Sequence, residues 1–173
     1  NYIPIYKNFF NIKNQNFNNI NLNHKYNLQL INSKKTENIY NCSLTFGDNQ
    51  TLSRDSFFKF SPLLDPLKYM TGKYKNITDD DLLSLPVIEK SKCLEKVNRI
   101  NNSAYIDSFF SYLSSQLLHE HDFIHGLDFY GSFICIKNKY EFDIIDDLEF
   151  LNDSTYFHKN KNIKYNITKS SNI

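Results

Sequence analysis

"NNSAYIDSFFSYLSSQLLHEH", residues 101–121, is the stretch on which the fold turns. Tyr105, Ile106, Phe109, Phe110, Leu113, Leu117 and Leu118 recur at helical spacing, and most of them fall on one broad apolar stripe. Ser and Gln occupy much of the remaining surface. Asn102 or Ser103 can cap the start, because a short polar side chain there accepts a backbone N–H that the first turn leaves unpaired. The pattern predicts a helix over about residues 103–121, lying against a sheet, with Phe109 and Leu113 in the core.

The strands lie on either side. A strand is expected near Tyr26–Ile31. Residues 37–64, "ENIYNCSLTFGDNQTLSRDSFFKFSPLL", read as two antiparallel strands joined through "GDNQ", whose residues suit a tight turn. Pro62 and Pro66 end the second strand by removing donors. Downstream, residues 127–145, "LDFYGSFICIKNKYEFDII", read as a hairpin with "KNK" as its turn and Tyr140, Phe142 and Ile144 alternating with charge. Short helices fill the gaps. One is capped by Thr78 and carries Asp79 to Asp81 at its positive end, with Pro86 as its stop. A second is expected within "EKSKCLEKVNRI", and a third after Asp146, with another capping point at Asp153.

This order predicts an α+β fold: an antiparallel or mixed sheet with one long amphipathic helix packed on a face, plus short helices. The 173 residues suit a single domain. Residues 1–25 form an irregular Asn-rich arm in which Phe17, Ile20 and Leu22 recur, 26–157 the globular core, and 158–173 a Lys-rich tail.

Composition narrows the function classes. With 15 Phe and 12 Tyr the chain has ample core material and sticky surface. Twenty basic residues against 19 acidic ones give a net charge of +1, without the basic excess a nucleic-acid partner calls for. Asn, Lys, Ile, Phe and Tyr are swollen, which points to an AT-rich genome such as that of a large DNA virus or some protists. Cys42, Cys93 and Cys135 stand far apart, so neither a zinc knuckle nor a disulfide scaffold is expected, and an intracellular setting follows. No apolar run approaches the ~18 residues of a membrane span, and no signal peptide is expected.

Two stretches invite chemistry. "HDFIH" places His121 and His125 at the spacing of a metallopeptidase helix, with Asp122 where that motif carries Glu. On a continuous helix the two rings share a face and could both ligate zinc. A helix that stops near His121 dissolves that site, leaving histidines that complement the negative end of its dipole. The helix end is the expected outcome, and no metal or other cofactor is called for. The second stretch is "SFFKFSP" followed by the long helix and the "LDFYGSFICIKNKYEFDII" segment, an order that resembles the amino-terminal lobe of protein kinase-like proteins. "FKFSPLLDPLKYMTGKY" and "FIHGLDFYGSFICIKN" also look like open reading frames of AT-rich giant DNA viruses. The kinase resemblance implies a nucleotide-holding role for Lys59. Against it, "TFGDNQT" holds one glycine where a phosphate-covering loop holds three, and Asp107 falls too early to serve as the helix acid that pairs with Lys59. The favoured expectation is a non-catalytic module with a protein partner; a nucleotide-binding lobe is the alternative.

Overall fold

The computed structural model describes residues 2–13, 15, 22, 24–88 and 93–169. Three strands form an antiparallel meander in the order β1 (Tyr26–Lys34), β2 (Ile39–Phe46) and β3 (Gln50–Phe57). Alternation along β2 separates the sheet's two faces. Cys42 and Leu44 are fully buried. On the other face, Asn32 donates to Asn41 and to Ser43, Ser53 donates to Asn41, and Asn41 donates to Asp55. These cross-strand bonds pin the register and let that face meet water. At the β2–β3 turn Gly47 and Asn49 take φ of 51° and 63°, which Gly and Asn tolerate best.

Short helices follow: α1 (Pro66–Met70), α2 (Asp79–Leu82) and α3 (Glu95–Asn98), then the long α4 (Ser103–Glu120), then α5 (Leu148–Asn152) and α6 (Thr155–Asn160). The fold is therefore α+β. The caps act as the residue types demand: Asp65 accepts from the Leu67 and Lys68 N–H groups, and Thr78 from Asp81. Asn102 accepts from the Ala104 N–H, while its amide donates to the Leu63 and Lys96 carbonyls.

The chain divides into two compact units, residues 1–63 with 85–134, and residues 64–84 with 135–173. In the first, Tyr105 and Phe109 of α4 pack with Ile3, Ile5 and Tyr6 around the 3-10 helix Pro4–Asn8, and with Leu22 and Phe129. The N-terminal arm is thus part of the core; Phe17 and Ile20 lie outside the described residues. The second unit packs Met70, Leu151 and Phe157, with the Tyr165 hydroxyl donating to the Phe157 carbonyl at 2.7 Å.

Two expectations are corrected. The apolar stripe of α4 is not all core: Tyr105 and Phe109 are buried, whereas Ile106, Phe110, Leu113 and Leu117 are exposed. The core-facing side runs instead through Tyr105, Phe109, Tyr112 and Ser115. Ser115 belongs there because its hydroxyl accepts the Phe129 N–H at 3.1 Å. The second correction concerns residues 127–145, which form no strand ladder. The turn at Asn138–Lys139 exists, but residues up to Ile134 belong to one unit and those from Cys135 to the other. The boundary thus falls within the first arm, and only its end, from Cys135, shares a unit with the second arm.

Candidate functional site

The end of α4 governs where its polar residues go. His121 leaves helical geometry (φ −134°, ψ 16°), and its N–H donates to the Leu117 carbonyl. Asp122 turns left-handed at φ 52°, and the Phe123 N–H returns to the same carbonyl at 3.1 Å. The chain then doubles back beside the helix. At Gly126 an added Cβ would fall 2.6 Å from the Ser114 carbonyl oxygen and 2.9 Å from the Leu118 Cβ, so only glycine fits.

This return brings Asp128 to His119, with Nε2 to Oδ1 at 2.6 Å. The other carboxylate oxygen faces Arg54 of β3 at 3.7 Å. The Arg54 guanidinium lies 5.3 Å from the centre of the Tyr26 ring, whose edge or face also meets His119 and Tyr130. The Tyr130 phenol beside it, followed by Tyr26 and the Asp128 carboxylate, raises the Arg54 pKa above its ordinary value. The group joins β1 and β3 to the end of α4. A His–Asp pair orients an imidazole, but nucleophilic chemistry also needs a hydroxyl or thiol within reach of the ring. Among the described residues no Ser or Thr bonds to His119. The contacts present tie the three segments together.

The residues singled out in the sequence fall elsewhere. Because α4 ends at Glu120, His121 and His125 do not share a helical face; both are exposed, and the His125 ring meets Phe123 edge-on. Among the described residues no cluster of three or more His, Cys, Asp or Glu could hold a metal ion. Lys59 pairs with Asp107 of α4 at 2.7 Å. Asp107 is therefore not too early in the helix to reach it, since Lys59 lies two residues past the end of β3 and next to the first turns of α4. Both side chains are largely in water, so the pair is screened. The His119–Asp128–Arg54 group was missed because its members come from three segments. Its one local signal was Gly126, which allows the reversal.

The outward face of α4 is the other notable surface. Ile106, Phe110, Leu113 and Leu117 are 48%, 69%, 42% and 46% exposed. Their 4-3-4 spacing places them in one row along the helix. No described helix is long and apolar enough to cross a membrane. Compared with known proteins, the chain matches no protein family, no curated protein and no solved structure.

Proposed function

We propose that the chain is a non-catalytic interaction module whose contact surface is the outward row of α4. The observation that carries this is the row itself: four large apolar side chains in register on a well-capped helix, all left in water. Contiguous apolar surface of this kind marks a contact site on a folded protein, whereas scattered exposed hydrophobics do not. The near-neutral charge balance supports a protein partner over a nucleic acid. The few, widely spaced cysteines and the composition rich in residues of A/T-rich codons support an intracellular setting and a viral origin.

The Phe110→Glu/Leu113→Glu variant tests the proposal. Both positions are exposed, so the fold should persist, checked by circular dichroism. Cross-linking and co-purification from expressing cells should recover partners with the parent chain and lose them with the variant. An unchanged set of partners would sink the proposal.

The alternative, a nucleotide-binding lobe, draws on the Lys59–Asp107 pair. Phosphate binding needs several convergent donors or cations around a concavity, and a solvated pair supplies little. Calorimetry should find no sub-millimolar affinity for ATP–magnesium. Binding that Lys59→Met abolishes would put this reading in place of the first.

A further inference from the structure

We infer that the outward row of α4 is covered by α4 of a second copy of this chain, running antiparallel across a two-fold axis. This rests on the interaction-module proposal and names its partner. The exposed positions along α4 include Ser103, Ile106, Phe110, Leu113, Leu117 and Glu120. Their 3-4-3-4-3 spacing is the seam of a two-helix coiled coil. The run is also symmetric about its own centre. In an antiparallel pair Phe110 meets Leu113 of the second copy, Ile106 meets Leu117, and Ser103 meets Glu120. Four apolar layers lie in the middle, with one polar layer at each end, and no apolar residue faces a charge.

Charge selects this partner and this direction. α4 carries no Lys or Arg, unlike a helix built to lie on an anionic lipid surface, whose polar flank is basic. Its acids in the paired stretch are Asp107 and Glu120. A parallel pair would set Glu120 against Glu120 and bring the two Asp107 residues to the same level. The antiparallel pair sets Glu120 at the first turn of the facing helix, where backbone N–H groups favour a negative charge. Lys59, held on Asp107 at 2.7 Å and 64% exposed, brings a cation to that same end. The chain thus supplies what its own seam needs. The contact is modest: the four side chains of both copies expose on the order of 900 Å² together, the small end of specific interfaces. Pairing is therefore expected at micromolar concentrations rather than below.

Sedimentation equilibrium of the purified chain over about 5–500 µM should show monomer passing to dimer. Phe110→Glu/Leu113→Glu should remain monomeric with an unchanged helical circular dichroism signal. Should that variant lose its helical signal, Phe110→Ser replaces it, since this ring is 69% exposed, and a weakening of the dimer by tenfold or more is expected. Direction is read by oxidation. Phe110→Cys and Leu113→Cys, each with Cys135→Ser, should cross-link when mixed and not when alone. A chain that stays monomeric throughout, a dimer that survives the double Glu change, or cysteine variants that cross-link alone as well as mixed would overturn the inference. If the chain is monomeric yet the variant loses its partners in cells, self-pairing fails and the interaction module stands. If neither is seen, both fall.

Discussion

Ser115 and His24 show what a single residue takes from its surroundings. In the sequence Ser115 counts as polar face; in the fold it is almost fully buried, because its hydroxyl is the acceptor for the Phe129 N–H. That role depends on a segment arriving from residues 127–130, which no local pattern specifies. His24 is similar: its ring meets Phe129 edge-on at 5.1 Å. Burial lowers its pKa below the ordinary 6.5, and the nearby Tyr130 backbone offsets this only in part. No well-formed hydrogen bond reaches either ring nitrogen among the described residues. The folded state therefore holds His24 neutral where the unfolded chain protonates it. Below pH 6.5 the unfolded state binds more protons, so this contribution to stability is complete above that pH and is lost as pH falls toward the lowered folded value. Denaturant titrations at pH 7.5 and 5.5 should show a smaller loss of stability for His24→Leu than for the parent chain. Equal losses would show that His24 stays ordinary in the fold.

At the scale of elements, α4 was legible where its signals are local. The cap, the length and the stop each rest on residues within a turn of one another, and the helix runs Ser103–Glu120 from an Asn102 cap. Asn102 is more than a cap. It is buried and bonds to the Leu63 and Lys96 carbonyls as well as the Ala104 N–H. Asn102→Ala removes the cap and leaves two carbonyls without their donor, so a loss of ~2–4 kcal/mol is expected by urea unfolding. Asn102→Asp keeps the cap but not the amide donors, and its smaller or larger cost would separate the two roles. Which side of α4 faces inward was less legible. Helical spacing gathers Tyr105 to Leu118 into a stripe too wide for one contact, and only the docking of Ile5, Tyr6 and Phe129 decides which half is used. The hairpin expected at 127–145 failed for a related reason. Period-two alternation encodes an extended chain with two different sides; a ladder also needs a neighbouring strand, and here most of the first arm, up to Ile134, belongs to a different unit from the second.

For the whole molecule, the two units have cores built from different residues, and each is discontinuous in sequence. Composition and length alone could not reveal this, since the apolar residues of both are interleaved along the chain. The candidate sites were hidden for the same reason. His119, Asp128 and Arg54 meet only after the chain has turned back at Gly126, whereas the helix end expected at "HDFIH" rests on local residues and is where α4 stops. Separate cores make a testable statement about cooperativity. Leu151 is fully buried among Met70, Phe157 and their neighbours, so Leu151→Ala leaves a cavity costing ~2–5 kcal/mol. Opening of a cooperative unit accelerates exchange of the amides within it and leaves others protected. Hydrogen exchange in this variant should therefore quicken across α1, α5 and α6, with β1–β3 and α4 retaining their protection. Tyr105→Ala, which removes a ring from the first core and the bond to the Val97 carbonyl, should show the reverse pattern. Uniform acceleration in both variants would mean that the two cores unfold as one.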